Sequence, residues 1–408
     1  MQTIREETSR GLVEGRCDAR FGAVAEEFIR NFAERGELGA SVSVNIEGES
    51  LVDLWGGTAD AETGRPWRED TVSIVFSATK GATALCAHIL ASRGLLDIDA
   101  PVAEIWPEFA RAGKERATTR MMLDHSVGVP VLRAPAKPDC IEDWDYMTAQ
   151  LAAQEPFWEP GIRNGYHALT FGFTVGEIVR RVSGKSLGTF FRDEVAKPLG
   201  LDFWIGLPEE IEPRVASILA ELRPPAQETP FSRALVQPGS IPNLFIFNSG
   251  RWGATGVNSR AGHAAEIGAA NGITNARGLA GLYAPLANGG GGLVDADTLI
   301  RMAEVSMATH LDATLMMPTR FALGFMKSMD NRRRTIGGDS AILGRQAFGH
   351  VGAGGSIGFA DPECGLAFGY TMNRRLSGIL LNERGQSLID TTYRGLGYRS
   401  DAAGCWLR

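Results

Sequence analysis

The order of the predicted secondary-structure elements is the feature that most limits how this chain can fold. An amphipathic helix over residues 21–35 precedes a predicted hairpin over 40–55. Helical patterns between loops rich in proline and glycine then continue to about residue 270. Short predicted strands between residues 321 and 372 precede a last helix over 387–394. Because strands lie near both ends of the chain, this order favours one antiparallel sheet built from both ends, with helices inserted between them.

The sequence therefore predicts an α+β fold with two structural units, which a length of 408 residues permits. Residues 19–105 and 275–408 are expected to form the α/β unit that contains the sheet. Residues 106–274 are expected to form an inserted, mainly helical unit, and residues 1–18 an N-terminal extension. Within the inserted unit, residues 223–262 show little periodicity and predict a long ordered surface loop, a kind of loop that is often functional.

Charge and composition exclude several classes of protein. The net charge is −7 and the pI about 5.6, so no basic stripe is available to neutralise nucleic-acid phosphates. No stretch reaches the ~18 consecutive apolar residues that a membrane helix needs. The five cysteines are scattered, with no C-x-x-C pair, which indicates free thiols rather than a disulfide framework or a zinc site. These observations predict a cytoplasmic protein.

The sequence Ser77-Ala78-Thr79-Lys80 follows an apolar run and opens a predicted helix. In a helix, Lys80 would lie one turn beyond Ser77 on the same face. A serine hydroxyl needs an adjacent base to become nucleophilic, and a lysine whose pKa is lowered by burial can serve as that base. Serine is also a common helix N-cap, so the tetrapeptide alone leaves a structural role open.

Two further stretches contain candidate groups. Tyr166 lies in a loop before a predicted helix, where a packed tyrosine with a solvated hydroxyl is the ordinary interpretation. Next to a serine–lysine pair, its hydroxyl could instead act as a general base and then as an acid. The stretch from His350 through Val351 and Gly352 to Ser356 is either a glycine-rich turn or an edge strand against which a substrate lies closely.

One motif is a decoy. Residues 354–358 match the G-x-S-x-G nucleophile elbow around Ser356, but a strand end and a turn follow instead of a helix, and no histidine follows Ser356. The six histidines are isolated, without the H-x-x-x-H spacing of a metal site, and the glycine clusters lack the Lys-Ser/Thr of a phosphate loop. We therefore expect no metal and no other cofactor.

Together, Ser77-x-x-Lys80, Tyr166 and His350-Val351-Gly352 resemble the three ordered motifs of the serine β-lactamase and penicillin-binding-protein superfamily. Within it, the chain is most similar to the family VIII carboxylesterases, which are related to class C β-lactamases. The stretch 122–130 resembles the loop after the nucleophile helix of that family, and 198–201 and 358–363 resemble two of its later segments. The resemblance covers residues 20–395 and implies a β-lactamase/transpeptidase-like fold.

The resemblance implies an acyl-enzyme mechanism. Ser77 would attack a carbonyl carbon, and Lys80 and Tyr166 would share the proton transfers. By matching the third motif, the backbone N–H groups of Ser77 and Ala353 would form the oxyanion hole. Further residues are expected to line the substrate pocket, namely His350, Val351, Gly352, Ala168, Trp158, Trp252 and Phe359.

Two departures from the β-lactamase pattern bear on the substrate. Ala168 replaces the asparagine of Tyr-x-Asn, so the amide that contacts an acylamino side chain is missing. His350-Val351 replaces Lys-Thr, and a histidine is mostly neutral at pH 7, which weakens recognition of a substrate carboxylate. Both changes favour neutral esters with small acyl groups over penicillin-like or peptide substrates.

Three functions are therefore considered. The first is a serine carboxylesterase for short-chain esters. The second is another acylase on the same fold, which would hydrolyse a β-lactam, a D-amino-acid amide or a peptide, or would transfer an acyl group. The third is a non-catalytic scaffold, against which the presence of Ser77, Lys80 and Tyr166 argues. The expected partner is a small-molecule ester, with neither nucleic acid nor membrane, and homo-oligomerisation is left open.

Overall fold

The computed structural model describes residues 1–221, 227–250, 252–253, 255–333 and 339–408. Fifteen strands occur within these residues, and they are β1 (Gln2–Thr8), β2 (Gly11–Cys17), β3 (Gly39–Ile46), β4 (Glu49–Asp60), β5 (Arg65–Pro66), β6 (Ser73–Ile74), β7 (Phe203–Trp204), β8 (Leu219–Glu221), β9 (Ile273–Thr274), β10 (Met307–Thr309), β11 (Thr319–Phe321), β12 (Phe348–Val351), β13 (Ile357–Asp361), β14 (Leu366–Met372) and β15 (Arg374–Leu376). The same residues contain twelve α-helices, which are α1 (Gly22–Glu34), α2 (Thr79–Ser92), α3 (Thr119–Leu123), α4 (Trp144–Ala153), α5 (Thr170–Ser183), α6 (Leu187–Phe191), α7 (Pro230–Leu235), α8 (Ile241–Phe247), α9 (Arg260–Ala264), α10 (Ala276–Ala287), α11 (Ala296–Ala303) and α12 (Glu383–Gly395).

The main sheet joins the two ends of the chain, as the order of elements predicts. Its strands run β1-β2-β4-β3-β14-β13-β12, each antiparallel to its neighbours, and β5 adds to β4. The central pairing is that of β3 with β14, in which Val42 lies opposite Tyr370. The predicted hairpin is β3–β4, although β4 continues past Trp55 to Asp60. The α+β fold is confirmed.

Residues 1–18 form the edge of this sheet. Strand β2 pairs with β4, with Val13 opposite Gly56, and β1 pairs with β2. Val13 is buried, whereas β1 is exposed along almost its whole length. An exposed polar strand lacks the alternation of apolar residues that identifies a half-buried strand, so its sequence gives no strand signal.

Helices cover both faces of the sheet. Helix α10 lies on one face, over a pair of glycines, Gly358 and Gly369, that oppose each other on β13 and β14. A Cβ on Gly369 would lie 2.2 Å from the carbonyl oxygen of Ala276, so only glycine allows α10 to approach this closely. On the other face, Phe359 and Phe368 stack with each other, and Phe359 stacks with Tyr393 of α12. Helix α1 packs against α12 on that face.

Two predicted elements differ from the structure. The described part of residues 223–262 contains α7, α8 and α9, where the sequence predicts a loop without helices. These helices have six, seven and five residues, too few to display a helical period, and each begins at a hydroxyl N-cap: Thr229, Ser240 and Ser259. The strand predicted over 321–329 is reduced to β11 and isolated bridges, such as Phe321 with Met326.

The inserted helices pack around α2, which carries the Ser77 motif. Every residue from Thr79 to Leu90 is buried, and the helix contacts α5 and α6. Among the described residues, no helix combines the length and the apolar character that crossing a bilayer requires. The domain boundaries given above stay predictions.

Candidate active site

Ser77 lies in the turn immediately before α2. Strand β6 leads into this turn, where the N–H of Val75 donates to Gly272 O at 2.9 Å. Phe76 has a φ of 48°, in the left-handed region that bulky residues seldom occupy. The Thr79 hydroxyl holds this conformation, because it donates to Phe76 O and accepts from the Gly272 N–H. Ser77 is the one residue between Thr71 and Leu90 that is partly exposed and not buried.

Lys80 lies under Ser77 and is completely buried. Its Nζ is 3.3 Å from Ser77 Oγ, 2.7 Å from Ala168 O and 2.9 Å from Ala269 O. No carboxylate pairs with it among the described residues, and burial holds its pKa well below the usual 10.5. Ser77 and Lys80, predicted to lie one helical turn apart, are thus in direct contact. The lowered pKa favours the neutral form of Lys80.

Tyr166 covers the same lysine. Lys80 Nζ is 4.7 Å from the centroid of the Tyr166 ring, and the tyrosine is 5% exposed. Burial raises the pKa of Tyr166, and the neighbouring Ser77 hydroxyl opposes this rise. The Tyr166 hydroxyl makes no hydrogen bond of standard geometry with any described residue. It is therefore a protonated phenol beside the serine, with its donor unused.

A carboxylate outside the predicted site residues holds Tyr166 in place. Both oxygens of Asp312 accept from the Tyr166 N–H at 3.0 Å, and one also accepts from the N–H groups of Thr314 and Leu315 at 2.8 Å. Burial raises the pKa of Asp312, and the hydrogen bonds from these backbone N–H groups oppose that rise. No motif in the sequence marks Asp312, because its partner lies 146 residues away.

Three buried histidines surround the tyrosine, and all are neutral at pH 7. Burial lowers the pKa of His350 and of His167 to about 3, and that of His125 well below 6.5. His350 Nδ1 donates to Val351 O at 2.8 Å, which leaves Nε2 as an acceptor with no described partner. Its ring lies 5.9 Å from the Tyr166 ring. His350 is therefore placed beside Tyr166 without a positive charge.

The remaining two histidines hold the backbone of this loop. His125 Nδ1 accepts from the His167 N–H at 3.1 Å, and His167 Nε2 accepts from the Val129 N–H at 3.0 Å. The His125 ring also packs 4.9 Å from the Tyr166 ring. These contacts join the loop after α3 to the segment that carries Tyr166.

The turn after β12 lies against the segment that precedes Ser77. Ser356 Oγ donates to Val75 O at 2.9 Å, and a Cβ on Gly352 would lie 2.1 Å from the same oxygen. The N–H groups of Ser77 and Ala353 donate to no acceptor among the described residues. Ser356 itself is fully buried and precedes a strand, so its hydroxyl has a structural role and no nucleophile elbow is formed.

The other predicted pocket residues are only partly brought together. Ala168 contributes its carbonyl to Lys80, and Trp252 packs edge-on against Phe76, with ring centroids 6.4 Å apart. Trp158 packs on His167 and donates to Ser126 O. Phe359 does not belong to this group: it is fully buried between the sheet and α12, where packing accounts for it.

Among the described residues, no three His, Cys, Asp or Glu side chains converge as a metal site would require. The arrangement that remains is a partly exposed serine, a buried lysine in contact with it, a phenol beside both, and two backbone N–H groups without acceptors among the described residues. Such an arrangement suits acyl transfer through a serine.

The chain belongs to the Beta-lactamase family, which it matches over residues 25–385. It is thus a serine hydrolase with the β-lactamase/transpeptidase-like fold, and esterase activity is the type that its relatives indicate. The chain is 37% identical to the esterase/β-lactamase LipL of Mycobacterium tuberculosis (strain ATCC 25618 / H37Rv), over 90% of this chain and 85% of LipL.

Two solved structures have the same fold over almost their whole length. A family VIII carboxylesterase is 38% identical, with a TM-score of 0.80 over 94% of this chain and 99% of that one. A penicillin-binding-protein homologue from Caulobacter crescentus is 35% identical, with a TM-score of 0.82 and the same coverage.

Proposed function

We propose that this protein is a carboxylesterase that hydrolyses short-chain carboxylic esters through an acyl-enzyme on Ser77. The observation that carries the proposal is the environment of Lys80, which is buried, lacks a carboxylate partner and lies 3.3 Å from the Ser77 hydroxyl. Burial lowers the pKa of Lys80 well below 10.5, which favours the neutral amine, and a neutral amine can accept a proton.

The three contacts of Lys80 match the needs of a neutral amine. Two N–H bonds are directed to Ala168 O and Ala269 O, and the lone pair is left for the hydroxyl proton of Ser77. As Ser77 Oγ bonds to the ester carbonyl carbon, its proton moves to Lys80 Nζ. The oxyanion that forms is held by the free N–H groups of Ser77 and Ala353.

Tyr166 then completes the proton transfer. Because its pKa is raised, it is protonated at rest and can give its proton to the departing alkoxide, while Lys80 returns a proton to the phenolate. The ester C–O bond breaks and the alcohol leaves. Water then attacks the acyl-enzyme by the reverse sequence of proton transfers, which releases the carboxylic acid and restores Ser77.

The side chains around the serine favour neutral groups near β12. His350 carries no charge at neutral pH, Val351 has no hydroxyl, and Ala168 has no amide to bind an acylamino group. The names of the LipL relative and of the family VIII structure support an ester substrate. LipL is also named a β-lactamase, so β-lactam hydrolysis is the second candidate.

The test is pre-steady-state hydrolysis of a short-chain p-nitrophenyl ester. We expect a burst of p-nitrophenol, which Ser77→Ala abolishes. Full turnover by Ser77→Ala would overturn the proposal. Turnover of a chromogenic cephalosporin well above that of the ester would favour the second candidate, and turnover of a D-amino-acid amide or a peptide would favour another acylase.

A further inference from the structure

One arginine beside the Ser77 turn is unusual for a partly buried cation, because it lacks an anionic partner. Arg375 lies on β15 and makes no ion pair or hydrogen bond with its side chain among the described residues. The neighbouring Arg374 pairs with Glu221, and Arg384 pairs with Glu37 at 2.6 Å. A half-buried guanidinium has five N–H donors and normally satisfies them with a carboxylate.

The position of Arg375 relates it to both N–H groups of the predicted oxyanion hole. Its guanidinium carbon lies 5.4 Å from the centroid of the ring of Phe76, the residue that precedes Ser77 in the chain. Its Cα and Cγ would each lie 3.1 Å from a Cβ built on Gly354, the residue that follows Ala353. The side chain therefore borders the two segments that enclose the reacting carbonyl.

The guanidinium lies beside an aromatic ring, yet its donors are free. Its carbon is within cation–π distance of the Phe76 ring, and Phe76 in turn packs on Trp252. The Arg375 nitrogens have no hydrogen-bond partner among the described residues, and they are not closed off from solvent. Burial lowers the pKa of Arg375, but a guanidinium stays charged at neutral pH. The site thus contains a positive charge that faces accessible space.

We propose that Arg375 binds a carboxylate carried by the ester substrate, close to the carbonyl that Ser77 attacks. This inference rests on the proposed function of Ser77. Arg375 places a cation on β15, whereas the nearby residue of β12, His350, is neutral. The substrate class then includes esters that carry one carboxylate in the acyl or the alcohol part. Charge-assisted, two-pronged binding of a carboxylate is the recognition to which a guanidinium is best suited.

Two matched pairs of substrates test the inference. For the acyl part, they are p-nitrophenyl hydrogen adipate and its neutral methyl ester. For the alcohol part, they are 4-acetoxybenzoate and its methyl ester. We expect wild-type kcat/KM to be higher for the charged member of one pair, and Arg375→Gln to lower that charged-to-neutral ratio about 10-fold or more, which corresponds to the loss of one charged hydrogen bond.

The control is Arg399→Gln, which removes an exposed arginine and the same unit of charge and should preserve the ratio. A ratio in Arg375→Gln equal to that of the wild type in both pairs overturns the inference, while hydrolysis of the neutral esters leaves the proposed function standing. If the wild type hydrolyses no ester of either pair, the proposed function fails and the inference with it.

A second measurement needs no variant. Salt screens the attraction between a guanidinium and a carboxylate, so raising the ionic strength should increase KM for the charged ester and leave KM for its neutral partner almost unchanged. Equal salt dependence for both members of each pair overturns the inference.

Discussion

Both carboxylate oxygens of Asp312 accept from the backbone N–H of Tyr166 at 3.0 Å, although 146 residues separate the two. The same carboxylate is fully buried and caps the turn that contains Thr314 and Leu315. These hydrogen bonds tie the backbone of Tyr166 to the segment before β11, and the Tyr166 ring lies 4.7 Å from Lys80 Nζ. Asp312 touches neither Ser77 nor Lys80 by any described contact, so we assign it a positioning role.

Asp312→Ala should therefore lower both stability and turnover. It leaves three buried N–H donors without an acceptor, each of which costs about 1–3 kcal/mol. Asp312→Asn retains one carbonyl oxygen and should recover most of both losses. Urea denaturation and ester kinetics measure the two effects, and an Asp312→Ala enzyme as stable and as active as the wild type would contradict the role.

Replacing Lys80 tests its role as a base. Lys80→Met removes the amine, and Lys80→Arg keeps a cation that cannot take up a proton, so both should lower kcat by about 100-fold or more. Lys114→Met is the matched control, because Lys114 is also buried and also donates to two carbonyls, those of Arg111 and Gln154. It should retain turnover.

The pH profile of the wild-type enzyme provides a second check on Lys80. Because burial lowers its pKa, the neutral amine persists far below pH 10.5, and kcat/KM should fall only as acid protonates it. Turnover that requires pH values near 10 would show that Lys80 is charged at rest, and Tyr166 would then have to serve as the base.

Tyr166→Phe separates chemistry from packing. The hydroxyl is buried and makes no hydrogen bond of standard geometry with a described residue, so its loss should change the free energy of unfolding little. The kcat should nevertheless fall about 100-fold or more. Tyr283 also has a buried hydroxyl without a described partner, and Tyr283→Phe should keep its activity. Normal kinetics in Tyr166→Phe would remove the phenol from the mechanism.

The role assigned to Ser356 is tested by its removal. Ser356→Ala should leave the acylation burst intact, in contrast to Ser77→Ala, because its hydroxyl only donates to Val75 O. Val75 O still accepts from the Ala78 N–H at 3.1 Å, so loss of the Ser356 hydrogen bond should cost only about 1 kcal/mol of stability. A lost burst in a folded Ser356→Ala protein would give this serine a part in the chemistry.

What the sequence could predict depended on how close together the interacting residues lie in the chain. The Ser77–Lys80 contact lies within one helical turn, and α1, β3 and β4 have clear periodicity, so the sequence predicts all of these. The role of Asp312 and the packing of Phe359 against Tyr393 depend on how distant segments meet, which no local pattern records. The cytoplasmic location and the absence of a cofactor stay predictions.

His88 should make the fold sensitive to acid. It is buried on α2, its Nε2 lies 2.8 Å from Leu323 O, and burial lowers its pKa from 6.5 to about 4. Below pH 6.5 the His88 ring therefore binds a proton in the unfolded chain but not in the native state. The contribution of neutral His88 to the free energy of unfolding is fully present above pH 6.5 and is lost as the pH falls towards 4. This shift corresponds to about 3 kcal/mol. His88→Gln should make the dependence of the unfolding free energy on pH less steep over that range, as measured by urea denaturation, while the buried His125, His167 and His350 keep their own contribution. His310→Gln, which replaces an exposed histidine, should leave it unchanged, and equal slopes in the wild type and His88→Gln would contradict the assignment.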